Sequence, residues 1–256
     1  MNIYKFCYRL VKTKLLWDLS FKSFIHKNRI KKWKNNYLNQ KAIILCNGPS
    51  LNSVDFDLIK ENNVFTIGLN KINLLFSSID FRPDIIISVN PYILKHNKDF
   101  YNKTDIPLFL DKYAEKIICH NKKNIHLLFS NYLAGTFSYD CSSSVTQGYT
   151  VTYVALQLAY YFGFKFVALV GCDHYFQEKG MPNEVIVQKG KDLNHFHFDY
   201  FTYGEQWQLP DLIGSEFHYQ KAKEIYEKNN RKIYNCTNKS KLELFEKTEL
   251  INFIKT

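Results

Sequence analysis

The sequence is short of several features that would have named a class at once. No apolar run reaches the ~18–20 residues that a membrane-spanning helix needs. The first residues lack the continuous apolar core of a signal peptide. There is no internal repeat and no low-complexity tract. Six cysteines (7, 46, 119, 141, 172 and 236) are scattered, with no Cys-x-x-Cys pair and no histidine at zinc-finger spacing. A reduced, cytoplasmic setting is the simplest expectation. Three site motifs are also missing: Gly-x-Gly-x-x-Gly, Gly-x-x-x-x-Gly-Lys-Ser/Thr and Gly-x-Ser-x-Gly. Their absence argues against a dinucleotide fingerprint, a phosphate loop and an α/β-hydrolase nucleophile.

What is present is a chain of 256 residues, 46% hydrophobic and 16% aromatic, enough to bury a real core. Its net charge of +10 is unevenly placed. Residues 1–39 hold ten Lys/Arg and a single acid, Asp18, for a net of +9, while the remainder carries 24 basic and 23 acidic residues. A neutral body argues against a nucleic-acid footprint spread over the folded domain. In residues 1–39 the cations alternate with aromatic and aliphatic residues such as Tyr8, Val11, Leu15, Leu16, Trp17, Phe21 and Phe24. Such a basic amphipathic segment suits peripheral contact with an anionic membrane. The alternative is a helix packed on the body with its charges solvated.

Beyond residue 40, apolar runs at 42–46, 64–69, 84–89, 107–110, 125–129, 166–171 and 232–235 read as strands. Helical stretches lie between them, near 53–62, 71–78, 92–101, 112–120, 149–162 and 211–230. This alternation predicts an α/β fold with a doubly wound, mostly parallel, Rossmann-like sheet over 40–256. Residues 174–210, rich in Gly, Asn, His, Tyr and Phe, break the rhythm and are expected to form an irregular lid or active-site segment.

In a parallel sheet, ligands bind outside the carboxyl ends of the strands. Three successive strands end in asparagine, at Asn47, Asn70 and Asn90, and a later one runs into Gly171-Cys172-Asp173-His174. Asparagine offers donors and acceptors without charge, which suits a base, a ribose or a sugar. It also simply stops strands and starts helices, and a single one would be read that way. Asn47-Gly48-Pro49-Ser50 adds a tight turn whose serine can cap the next helix. His195 and His197, beside Asp199, lie in the irregular segment. Nothing nearby completes a metal set, so no metal is expected.

These residues, in this order, resemble a known group. Asn47-Gly48-Pro49-Ser50-Leu51, the Asn70 strand end, Asn90-Pro91, the passage Thr150 to Asp173 and Tyr175 are similar to bacterial lipo-oligosaccharide sialyltransferases. They resemble still more the related motility-accessory-factor and MptE-like domain proteins, as do Asn194 to Phe201, Ile233 to Thr237 and Leu242 to Phe245. The resemblance covers about 41–245. It implies a nucleotide-binding α/β fold and metal-independent transfer of a nonulosonic acid from a CMP-activated donor, with no separate cofactor. Carried over, Asn47, Gly48, Pro49, Ser50, Asn70, Asn90, Thr150, Thr152, Asp173 and Tyr175 would bind the donor. His195 or His197 would act as general base, with His218 as an outsider, because the family's Gly-His-Ser-like segment has no match and Gly214-Ser215 lacks the histidine. Tyr175, Tyr200 or Tyr203 would serve the leaving phosphate. The MptE-like branch implies instead pyrophosphate transfer from ATP to 6-hydroxymethylpterin, with Mg²⁺ held by carboxylates such as Asp84, Asp111, Asp173 and Asp199. A non-catalytic, membrane-peripheral binding protein is a third class. The expected partners are a nucleotide-sugar donor, a glycan or glycolipid acceptor and an anionic membrane on its cytoplasmic face. No nucleic acid is expected, and a homo-oligomer is compatible with the sequence.

Overall fold

The computed structural model describes residues 3–119 and 122–255. Residues 1, 2, 120, 121 and 256, with the side chains of 3–7, 9 and 10, lie outside the described residues. With them lie part of the expected N-terminal segment and the last residue of the helix expected over 112–120.

Two helices come first, α1 (Ile3–Asp18) and α2 (Phe21–Lys31). The sheet then begins with β1 (Lys41–Leu45), followed by α3 (Phe56–Glu61), β2 (Phe65–Leu69) and β3 (Ile85–Ser88). Next come α4 (Pro91–His96), α5 (Lys98–Lys103), β4 (Leu108–Asp111) and β5 (Ile125–Leu128). The short strands β6 (Ser130–Asn131) and β7 (Val145–Thr146) lead into α6 (Val151–Phe162) and β8 (Phe166–Val170). The chain closes through β9 (Val185–Val187), β10 (Gln206–Gln208), α7 (Leu212–Lys228), β11 (Lys232–Asn235), β12 (Glu246–Lys247) and α8 (Leu250–Lys255).

The main sheet has eight strands in the order β12-β11-β8-β1-β2-β3-β4-β5, and every neighbouring pair is parallel. Its inner strands are fully buried, as in Ala42–Leu45 and Ile85–Ser88. Strands covered on both faces must be apolar at every position, which is why they read as continuous runs. Alternate residues feed two cores. Ala42 and Ile44 pack with α2, α6 and α7, whereas Ile43 and Leu45 pack with α3, α4 and residues 196–209. This is the expected doubly wound, Rossmann-like α/β architecture. Some elements are shorter than expected. The stretches near 71–78 and 112–120 are tight helical turns (Ile72–Ser77, Lys112–Lys116), and 92–101 breaks at Asn97.

The chain lays β1 to β5 outward in one direction, then returns to place β8 on the other side of β1. The strand order therefore reverses between β1 and β8, where a crevice must open because successive connections depart to opposite sides.

The basic segment expected over 1–39 behaves as two parts. From α2 onward it belongs to the body. Ile30 is buried, and His26 Nδ1 accepts from the Leu127 amide at 3.2 Å. Arg29 donates to the carbonyls of Lys122 and Ile125, and the Asn35 and Tyr37 amides donate to the carbonyls of Tyr161 and Phe162. Trp33 packs against Phe109 and Phe162 while its Nε1–H donates to His126 Nε2 at 3.1 Å. In α1, by contrast, Trp17 turns inward while Leu15 and Leu16 are exposed. No described helix is long and apolar enough to cross a membrane.

Candidate functional site

At the switch point β1 runs into Cys46-Asn47-Gly48 and β8 into Gly171-Cys172-Asp173. The two turns are locked together. The Gly48 amide donates to the Gly171 carbonyl at 2.8 Å, and the Ser50 hydroxyl donates to Asp173 Oδ2 at 2.7 Å. The Ser50 amide also donates to this carboxylate, at 3.3 Å from each oxygen. Asp173 thus sits on the first turn of the helical segment Pro49–Ser53, where orphan amides and a partial positive charge stabilise an anion. The carboxylate passes so close that a Cβ on residue 48 would stand 2.0 Å from Oδ2. Gly171 has φ +68°, and a Cβ there would lie 2.8 Å from the Cys46 carbonyl oxygen. Only glycine fits either place.

Above this floor lies a cavity of about 170 Å³. Asn47, Gly48, Asn70, Thr150, Thr152, Asp173, Tyr175 and His195 all line it. An adjoining compartment of about 480 Å³ shares Asn70, Tyr149, Thr150, His195 and Tyr200 and adds Asn90, Tyr132, Gln147 and Gln208. The three asparagines therefore gather along one edge, as their strand positions imply, but their side chains are not equally free. Asn90 caps α4, accepting from the Tyr92 amide at 2.9 Å. Asn70 adopts a left-handed φ of 51°, which asparagine tolerates better than most residues. Its Oδ1 accepts from the Ser88 hydroxyl. Asn47 differs: its Oδ1 is buried and has no hydrogen-bond partner among the described residues. A buried carbonyl left unpaired is costly unless a ligand satisfies it.

Two helices point their N-termini here. Thr150 caps α6, its hydroxyl accepting from the Thr152 amide and facing the Tyr219 hydroxyl at 3.4 Å. Asp211 caps α7, which contributes Leu212 and Ser215 to the lining. Burial pushes the Tyr219 hydroxyl well above the ordinary tyrosine range, so it stays a neutral donor. Among the described residues no lysine or arginine lines either compartment. An anion entering this cavity meets helix termini and hydroxyls rather than side-chain cations.

His195 is placed where the two compartments meet. Its Nδ1 lies 2.7 Å from Asp192 Oδ2, and that carboxylate is wholly buried. Asp192 Oδ1 accepts from the Asn194 amide at 2.9 Å. A carboxylate only accepts, so Nδ1 carries the hydrogen of the neutral ring and Nε2 keeps its lone pair. The ring lies flat on Tyr200, centroids 3.9 Å apart and planes 5° from parallel. Phe201 and Trp207 pack edge-on around it.

The segment 174–210 that carries His195 is anchored. The Phe196 amide donates to the Asn47 carbonyl at 2.9 Å, and Asn52 donates to the Phe196 carbonyl at 2.7 Å. Lys71, buried beneath it, donates to the Tyr200 carbonyl and pairs with Glu205 at 3.2 Å. Burial holds its ammonium below the ordinary lysine range, and the Glu205 carboxylate partly restores it. Phe196, Tyr200, Phe201 and Trp207 are core residues.

Several expected site residues are elsewhere. His197 lines neither compartment; its Nδ1 accepts from the Asp199 amide and its ring stacks on exposed Phe198. An extended strand would put both histidines on one side, but residues 193–200 bend and turn, and this separates the two rings. Tyr203 is 81% exposed on a turn. Tyr200 lines the cavity with its ring, but it is buried as the platform under His195. His218 is buried with both ring nitrogens engaged, by the Gly214 carbonyl and the Gly135 amide. Pro49 and Ser50 shape the turn without lining the cavity. The four carboxylates considered for Mg²⁺ are dispersed. Asp84 binds Thr66 at the opposite end of the sheet, Asp111 binds the Tyr113 amide and Ser130, Asp173 holds Ser50, and Asp199 is exposed. No cluster of three or more metal-binding side chains occurs among the described residues. Asp192, Tyr149, Ser215 and Tyr219 escaped the sequence reading. Asp192 alone had a local signal, its three-residue spacing from His195.

With this geometry in view, the comparisons with known proteins are specific. The family model described as 6-hydroxymethylpterin diphosphokinase MptE-like matches residues 20–179, more than half of the chain. The chain belongs to the MptE-like family. The match begins at the start of α2, where the chain joins the body, and spans both turns of the switch point. Among solved structures, the chain is similar to the MAf glycosyltransferase from Magnetospirillum magneticum AMB-1, with a TM-score of 0.53 at 15% identity. The likeness covers 90% of this MptE-like chain and 39% of that protein, and at this identity it speaks for the fold. No curated protein matches the chain.

Proposed function

We propose that this protein is a sialyltransferase-like glycosyltransferase. It moves a sugar, a nonulosonic acid, from a CMP-activated donor to a hydroxyl of a cell-surface glycan acceptor. The observation that carries this reading is the His195–Asp192 pair at the meeting of the two compartments. Asp192 fixes the tautomer, and Nε2 of His195 takes the acceptor's hydroxyl proton. The acceptor oxygen then bonds to the anomeric carbon as the bond to the phosphate oxygen breaks and CMP departs. Asn47, through its unpaired carbonyl, and Asn70 hold the nucleotide. The N-terminus of α6 at Thr150 and Thr152 receives the anionic part of the donor. Tyr175, on the rim of the smaller compartment, donates to the departing phosphate.

A lining without lysine or arginine favours this donor. A CMP-sugar carries one phosphate, and helix termini and hydroxyls balance that charge. A triphosphate brings more charge, usually met by Mg²⁺ with Lys or Arg, and the nearby carboxylates are dispersed. The family's description nevertheless keeps a second reading in play, pyrophosphate transfer from ATP to a pterin. Calorimetric titration with CMP, UDP, GDP and ATP, each with and without Mg²⁺, separates them. Tight Mg²⁺-independent CMP binding is the expected result. Mg²⁺-dependent ATP binding would replace this reading with the kinase, and no nucleotide binding at all would leave a non-catalytic binding protein.

A further inference from the structure

A soluble helix normally turns its apolar stripe inward, yet α1 carries one facing out. Tyr8, Val11 and Leu15 recur three and four residues apart on a single face, and Leu19 extends the line just past the helix end. All four are exposed, Leu19 by 77%, while Trp17 on the opposite side is buried against the body. Phe21 and Phe24, also exposed, continue the patch into the first turn of α2. The body therefore does not use this surface, and its contiguity marks an interaction site rather than scattered apolar residues.

Cations surround it. Lys12 and Lys22 are exposed beside the stripe. At the foot of α1 a groove of about 610 Å³ is lined by Leu16, Trp17, Lys22, Lys112 and Lys116, with the carboxylates of Asp111 and Glu115 among them, the latter paired with Lys22. Lys112 is half-buried with its ammonium 4.4 Å from the centre of the Phe129 ring and 5.9 Å from that of Trp17. The groove also shares Pro91, Tyr132 and Gln147 with the larger compartment of the cleft. One continuous surface thus runs from an apolar patch, through a groove edged by Lys112 and Lys116, to His195.

We infer that α1 docks this protein on an anionic lipid bilayer, the apolar stripe entering the interface while Lys12, Lys112 and Lys116 meet lipid phosphates. Charge complementarity selects this occupant over an apolar protein face. In combination with the transfer reading, on which this further step rests, the groove admits an acceptor anchored in lipid, its head reaching Nε2 of His195 from the membrane side.

The test is co-sedimentation of the full chain with vesicles of phosphatidylcholine alone or enriched in phosphatidylglycerol. Parent protein should pellet with the anionic vesicles and far less with the neutral ones. Leu15→Glu with Leu19→Glu should abolish pelleting, and Lys112→Ala with Lys116→Ala should weaken it about 30-fold. Circular dichroism confirms that each variant is folded, which the exposure of these side chains favours. Unchanged pelleting of the folded Glu variant would overturn the proposal, as would equal binding to both vesicle types. So would a parent dimer in lipid-free solution that the Glu substitutions dissociate, because the patch would then belong to a second copy. None of these readouts depends on donor binding, so docking and transfer fail separately.

Discussion

Two aromatic layers of this molecule each enclose a histidine, and they use it in opposite ways. In the layer beneath α2, His126 stacks on Phe109 at 4.5 Å, and both ring nitrogens are engaged, by Trp33 Nε1–H and the Leu108 carbonyl. In the segment above the cleft, His195 stacks on Tyr200, and Asp192 engages one nitrogen. The difference lies in the second nitrogen, which is sealed in one layer and borders a cavity in the other. Stacking and a hydrogen bond alone do not mark a catalytic histidine. A ring oriented on one side and open on the other is what the proposed role of His195 requires.

The largest expected effect tests the open ring. His195→Ala should lower turnover ~10²–10⁴-fold in a CMP-sugar transfer assay, with nucleotide binding retained. Unchanged turnover would erase the contrast between the two layers.

The sealed ring should show itself in stability. Burial pushes the His126 pKa down to about 4, with the backbone carbonyls only partly opposing it. The unfolded chain takes up this proton near the ordinary value of 6.5, while the folded ring stays neutral. The stabilisation is complete above that value and is lost as pH falls towards about 4, amounting to about 3 kcal/mol. Urea unfolding at neutral and mildly acid pH measures it, and His126→Gln should flatten the dependence. A smaller effect concerns the floor beneath His195. Gly48→Ala drives a methyl into Asp173 and should cost about 1–3 kcal/mol of stability, with loss of nucleotide affinity by calorimetry. The smallest sharpens the assignment within one segment. His197→Ala should leave turnover unchanged and stability within about 0.5 kcal/mol.

Much of this was legible without coordinates. The inner strands are apolar at every position because both faces are covered, so Ala42–Leu45 and Ile85–Ser88 stood out. Their asparagine ends mark the carboxyl edge of any parallel sheet. Less was legible where one residue has two jobs. Asn70 and Asn90 line the cleft, yet a left-handed turn and a helix cap also account for them, whereas Asn47, of these three, keeps a buried side-chain carbonyl without a partner among the described residues. The short exposed strand β12 left no signal because two residues carry no periodicity. The basic segment reads as one unit in sequence because α1 and α2 share a composition; their packing partners, remote in sequence, divide them.

Read without coordinates, the chain already shows that strands and helices alternate, that the sheet is parallel, and which residues stand at the carboxyl ends of its strands. These follow from local periodicity and from covering both faces of a sheet. Tertiary structure alone decided that β8 returns beside β1, so that Asp173 clamps Ser50 and Gly48 has no room for a side chain. It also separates His195, which lines the cleft, from His197, which does not, because in a bent segment residue spacing does not tell which side each side chain takes. That side is set by Phe196 binding Asn47 and by Lys71 beneath Tyr200, contacts that span more than a hundred residues of chain.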